Sequence, residues 1–283
     1  MSLYLAHLTQ TKDERRARYV EQAEQMLRDY VLPRWERLEQ VTAPAWTEAV
    51  REIRAGQTRR KKPPMWATLQ RATVAVRRFL AWCLTSGYLT TAPVLRAPPH
   101  SLAMKEQAAR RALTEVERDK ILRKLVGEAR RWYLVAFYTA MRRGEIAALA
   151  SRWVDFKHAT VRIPADVSKG AREGLIDLHP IAAQAIRAQM KARGKIGADA
   201  PLFGDQDHRK AWWSAVDAAG VDRAGLTANH TARHTRLTQI AAAGGKSALL
   251  AVMAQARHRS ITTSQKYLHA QLEHARKANR RAR

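Results

Sequence analysis

Tyr267 stands nine places after His258 in the stretch HRSITTSQKYLH, residues 258–269. A phenol has a pKa of about 10 and is a weak nucleophile at neutral pH. A tyrosine that does covalent chemistry therefore needs neighbours that neutralise the charge it creates and protonate the group it expels. Two arginines suit the first task. Arg142 follows the apolar run WYLVAFYTAM (132–141) and opens RRGEIAALA, with Glu145 one helical turn on, close enough to orient its guanidinium by a paired hydrogen bond. Arg233 shares a helical stripe with His230, Leu237 and Ile240 in NHTARHTRLTQIAAAGG. The apolar end of that stripe should pack inward and leave Arg233 at the edge of a core, where an unpaired guanidinium is costly. Either an anionic ligand or a structural carboxylate would answer it. Two planar guanidiniums can bracket the non-bridging oxygens of one phosphodiester and offset the charge that grows in a pentacoordinate transition state.

Two other motifs fail on inspection. GGKS (244–247) ends like a phosphate-binding loop, but that loop needs a glycine where this chain has Ile240, and no strand precedes it. HTARH places His230 and His234 four apart as zinc proteases do, yet Thr231 stands where their glutamate must be. Neither a metal nor a cofactor is expected.

The elements that must position these residues sit in a strongly basic chain, with 51 Lys and Arg against 25 Asp and Glu, a formal charge of +26 over 283 residues. That balance favours a polyanion as partner, DNA or RNA. A hydrophobic content of 46% with eight Trp is enough for buried cores and excludes a disordered basic tail. The single cysteine, Cys83, permits no internal disulfide and fits a reducing compartment. No apolar run reaches the length of a membrane span, and no signal-peptide core precedes TKDERRARY. The expectation is a cytoplasmic nucleic-acid-binding protein with no membrane partner.

Residues 1–95 read as a helical domain, mostly helical from residue 13 on, with helical spacing in YVEQAEQMLRDYVLPRWERL and LQRATVAVRRFLAWCLTSGYL and an exit marked by Gly87 and Pro93. Its loop GQTRRKKPP (56–64) carries Arg59, Arg60, Lys61 and Lys62, which are either a solvated run or contacts to DNA phosphates. Residues 96–111 have linker composition, and a second domain, 112–283, follows. It opens on a capping box, Thr114 with Glu117. TVRIPA and GLIDLH are β-prone segments joined by DVSKGARE, which predicts a hairpin, and the chain reads as helical again from Thr227 onward, interrupted at Gly244 and Gly245. The fold class is mainly α with a small β-hairpin or sheet in the second domain.

TAMRRGEIAAL, the hairpin lysine, HTARH and HRSITTSQKY, in this order and spacing, resemble the tyrosine recombinase (phage integrase) family. The likeness covers residues 113–268 and extends more weakly over the N-terminal helices. It implies Arg142 and Arg233 as a phosphate clamp, Lys169 as general acid, His230 and His258 as further phosphate and proton-transfer groups, and Tyr267 as the nucleophile that forms a 3′-phosphotyrosyl link. Lys157 is a second candidate for the acid. His234 is either a supporting residue or ordinary helix packing. The chain departs from the family pattern at Ala140 and Arg257, where glycine is usual, and at Ala232 and Ala256, where leucine is usual.

The same resemblance implies an N-terminal helical DNA-clamping domain and a C-terminal tyrosine-recombinase-like catalytic domain closing around double-stranded DNA with paired recombination half-sites. It implies a homotetramer on DNA and leaves room for accessory DNA-bending or directionality proteins. The helical domain begins so near the N-terminus that a separate arm-binding domain is not expected. The basic tail 271–283 is either a nonspecific DNA contact or, as the family implies, a segment that docks on a neighbouring protomer. The expected task is integration or excision of a mobile element. Type IB topoisomerase-like relaxation and a catalytically inactive DNA-binding protein are the rivals.

Overall fold

The structure is a computed structural model and describes residues 2–9, 14–57, 63–97, 110–168, 172–243, 247–257 and 264. The chain divides into two compact units, Met1–Ala108 and Ala109–Arg283.

The first unit contains α1 (Ser2–Thr9), α2 (Glu14–Tyr30), α3 (Ala43–Arg54) and α4 (Trp66–Thr85). α3 starts where Thr42 accepts a hydrogen bond from the Ala45 amide at 3.2 Å, with a proline in the first turn, and it buries Trp46, Ala49 and Ile53 at helical spacing. α4 presents Leu69, Ala72, Val76, Leu80 and Cys83 inward as one stripe and stops before Gly87, whose φ is 76°. α1, which the sequence reading did not anticipate, seats Tyr4 between Phe79 and Trp82, with ring centroids 5.2 and 5.4 Å away. The cations at 59–62 lie outside the described residues.

The second unit contains α5 (Glu115–Lys124), α6 (Gly127–Thr139), α7 (Arg143–Ala147), β1 (Val154–Asp155), β2 (Thr160–Ile163), β3 (Gly174–Asp177), α8 (Pro180–Arg193), α9 (Arg209–Ala218), α10 (Thr231–Ala243) and α11 (Ala248–Ala256). Most of the expected linker, 98–109, is outside the described residues. Its last residue, Arg111, already belongs to this unit: it donates to Glu117 at 3.0 Å and to the carbonyls of Asp222 and Ala224. The capping box forms in both directions, Glu117 N–H to Thr114 Oγ1 at 3.2 Å and Thr114 N–H to Glu117 Oε2 at 2.9 Å.

α6 is the central element, buried from Trp132 to Thr139 on most sides and packed against α8 and α10. Tyr133 stacks on Trp212 of α9 at 4.6 Å and donates to the Ala228 carbonyl at 3.1 Å; burial pushes its phenol well above the ordinary tyrosine value. The sheet is antiparallel in the order β1-β2-β3, with Val161 opposite Ile176 and Ile163 opposite Gly174. Along β2, Val161 and Ile163 point into the core while Arg162 is exposed, the period-two pattern of a one-sided sheet. The hairpin predicted from TVRIPA and GLIDLH thus gains a third, two-residue strand.

Candidate active site

The site is built on the carboxyl ends of two helices. α6 ends at Ala140 and α11 ends at Ala256–Arg257; Ala140 (φ 57°) and Arg257 (φ 54°) both adopt the left-handed conformation. A helix carboxyl end exposes carbonyls without partners and carries partial negative charge. Arg233, on the first turns of α10 and only 8% exposed, meets both ends. Its Nη1 donates to the Ala140 carbonyl and its Nη2 to the Ala256 carbonyl at 2.8 Å. Gln255 of α11 donates to the Thr139 carbonyl at 2.8 Å and fastens the same two ends together. Two of the partners of Arg233 are thus helix-end carbonyls.

Arg142 follows Ala140 by two residues and caps α7. Glu145, 1% exposed, turns back on it: Oε2 accepts from the Arg142 amide at 2.8 Å and Oε1 from Arg142 Nη1 at 2.9 Å. The side chain of Arg142 is about one-third open to solvent, at 31% exposure. Glu145 also takes a second cation that sequence reasoning had not placed here, because Arg257 Nη2 donates to its Oε2. These contacts join two guanidiniums to one buried carboxylate. The excess positive charge is what an anionic ligand would offset.

His230 is exposed and lies one residue before α10, which begins at Thr231, so the helix starts later than the Thr227 reading. Its carbonyl accepts from the His234 amide at 2.9 Å, and the chain just before it is held by Tyr133 on the Ala228 carbonyl. It thus precedes Arg233 by one helical turn. His234 is half-buried within the helix. Lys169, His258 and Tyr267 lie outside the described residues, as does the tail 271–283. Among the described residues, no group of three or more His, Cys, Asp or Glu could hold a metal, and no helix is long and apolar enough to cross a membrane.

Residues 103–274 match the phage integrase family. This chain belongs to that family. A tyrosine recombinase XerC from Pelobacter propionicus is 31% identical over 143 residues; the match takes in 48% of this chain and 46% of the relative, so the chain spans about half the length of the curated relative it matches. Among solved structures, a dimer of a lambda integrase fragment bound to a COC′ core site superposes with a TM-score of 0.72 at 15% identity, over 94% of this chain and 93% of that one. The Tn1549 transposon integrase in complex with a circular intermediate DNA gives a TM-score of 0.67 at 14% identity, over 94% and 92%. The fold is that of phage integrases, mainly helical with a small sheet. Within the family pattern, the departures at Ala140 and Arg257 acquire a physical meaning: both replace glycine at backbone positions whose positive φ favours glycine.

Proposed function

We propose that this protein is a site-specific DNA recombinase that cleaves and rejoins DNA through a 3′-phosphotyrosyl intermediate. The observation that carries this reading is the pairing of Arg142 and Arg233 around one turn of chain. Arg233 is anchored to the carbonyl of Ala140, and Arg142, two residues later, is held by a buried carboxylate. Guanidiniums fixed in advance cost no reorganisation when charge develops on the non-bridging oxygens of a scissile phosphate. His230 and His258 assist at the same phosphate, with His234 in support.

Tyr267 supplies the nucleophile. Its oxygen attacks the phosphorus, the bond to the 5′-oxygen breaks, and that oxygen leaves as a hydroxyl by taking a proton from Lys169. The 5′-hydroxyl of a second strand then attacks the phosphotyrosine and releases the phenol, so the bond is conserved without external energy. Lys169 is preferred to Lys157 on topology. The connection carrying Lys169 re-enters the sheet at Gly174, beside Arg257, whereas Lys157 sits in the β1–β2 turn at the far end of β2. At about 3.3 Å per residue, the two ends of that strand are roughly 10 Å apart.

The substrate is double-stranded DNA with paired half-sites in the cytoplasm, contacted by the helical unit, with Arg59, Arg60, Lys61 and Lys62 on phosphates, and by the catalytic unit. The protein assembles as a homotetramer on DNA, with room for accessory bending or directionality proteins. The biological task is integration or excision of a mobile element. The likeness to a tyrosine recombinase XerC favours resolution of joined chromosomes as a second reading. Selection of a bound duplex from a randomised pool, followed by denaturation of the complex on nicked copies of it, tests the chemistry. A protein–DNA adduct that survives denaturation is expected; its absence across all nick positions contradicts the reading.

A further inference from the structure

Arg257 is the one arginine of the site whose backbone is in a conformation that favours glycine, with φ 54° and ψ 44° at the end of α11. Its side chain is 11% exposed, and its Nε and Nη1 are buried without a hydrogen-bond partner among the described residues. Neither the backbone nor these two donors explains an arginine here; both count against it. What the side chain reaches is Glu145 Oε2, leaving Oε1 to Arg142. Its route runs across Gly174, the first residue of β3, in the hairpin that carries Lys169. A Cβ at Gly174 would collide with Cδ of Arg257 and stand 3.3 Å from its Cγ. Gly174 does not have a positive φ, so its backbone would accept alanine. The missing Cβ therefore makes room for the arginine.

We infer that Arg257 is a positioning residue for strand cleavage: by gripping the second oxygen of Glu145 it fixes that carboxylate on Arg142, and by lying across Gly174 it joins the hairpin to the end of α11. The inference rests on the recombinase reading given above. Arg257 acts through Glu145 and need not touch the phosphate. Its loss should slow the chemical step more than it weakens binding, and should not destabilise the fold, because glycine relieves the left-handed backbone.

The test uses the full chain and the duplex selected from the randomised pool, nicked to trap adduct, for the wild type, Arg257→Gly, Arg257→Lys, Gly174→Ala and the double variant Gly174→Ala with Arg257→Gly. At saturating protein, Arg257→Gly should form adduct roughly tenfold or more slowly, the scale of a misplaced reacting group. Its affinity for the intact duplex and its melting temperature should be no lower than wild type. Arg257→Lys should recover part of the rate. Gly174→Ala should be slow as well, although it changes no charge, and the double variant should be no slower than Arg257→Gly, because the added methyl then has nothing to displace. Adduct formation by Arg257→Gly at the wild-type rate overturns the inference. So does an equal slowing by Gly174→Ala whether or not Arg257 is present, or a rate loss that only follows lost affinity or lost stability. A wild type that forms no adduct would instead sink the recombinase reading itself.

Discussion

The guanidinium of Arg233 donates to the carbonyl of Ala140, a residue 93 positions earlier that closes α6 in the left-handed conformation. Ala140 is fully buried in a small cluster with Leu237, Ala241, Val252 and Ala256, so its shape sets both the packing and the direction of that carbonyl. For Ala140→Gly, relief of left-handed strain of about 1–2 kcal/mol is offset by a lost methyl at about 0.8 kcal/mol and added chain freedom of roughly 0.5–1 kcal/mol. Its stability should stay within about 1 kcal/mol of wild type. Ala140→Val adds bulk and a β-branch at positive φ, and should cost about 2–4 kcal/mol. Urea unfolding of the three proteins checks the ordering; a valine variant as stable as the glycine variant would contradict this account of the helix end.

For the clamp, Arg142→Ala and Arg233→Ala should each slow adduct formation at saturation by roughly a hundredfold or more, the scale of losing a preorganised charge contact in the transition state. A loss confined to affinity for the selected duplex would make the residue an ordinary phosphate contact.

What could be read from the sequence was local. Thr114 and Glu117, Arg142 and Glu145, and the alternation in TVRIPA each announce a contact within a few residues, and the structure contains each of them. The hidden parts are long-range or have no side-chain signature. Nothing in the residue type of Ala140 marks its carbonyl as the partner of an arginine. The pairing of Arg257 with Glu145 spans 112 residues, and its only signal was an arginine where the family pattern has glycine. The helix α8 is capped by His179, whose ring nitrogen accepts from the Ile181 amide, with Pro180 in the first turn. β1, two residues long, is defined by its pairing with β2 and has no pattern of its own.

Glu117 ties the start of the second unit to Arg111 and should show this in its pH dependence. Burial alone would push its carboxyl up, but hydrogen bonds from Arg111 and Thr114 outweigh burial and hold it below the ordinary glutamate value. A carboxyl that is more acidic folded than unfolded stabilises the fold above the unfolded pKa of about 4.3, and that contribution is lost as pH falls through the folded value. Glu117→Gln should therefore melt below wild type at neutral pH, and the gap should close in acid. A gap that stays constant from neutral pH into acid would remove the carboxylate from the argument.

The assignment of the acid is open to a chemical rescue. A 5′-oxygen leaves badly as an alkoxide, whereas sulfur in the same bridging position leaves as a thiolate and needs little protonation. Lys169→Ala should cleave ordinary DNA poorly and recover most of its rate on the sulfur-bridged duplex, while Arg233→Ala should not recover to the same degree. Rescue of Lys157→Ala in place of Lys169→Ala would move the proton to the other lysine.

The central claim is that Tyr267 carries the DNA. On the nicked duplex recovered by selection, the wild type should yield an adduct whose DNA-linked peptide contains Tyr267, and Tyr267→Phe should bind the same duplex with nearly unchanged affinity while forming no adduct. Adduct formation by Tyr267→Phe, or a DNA-linked peptide that lacks Tyr267, would contradict it.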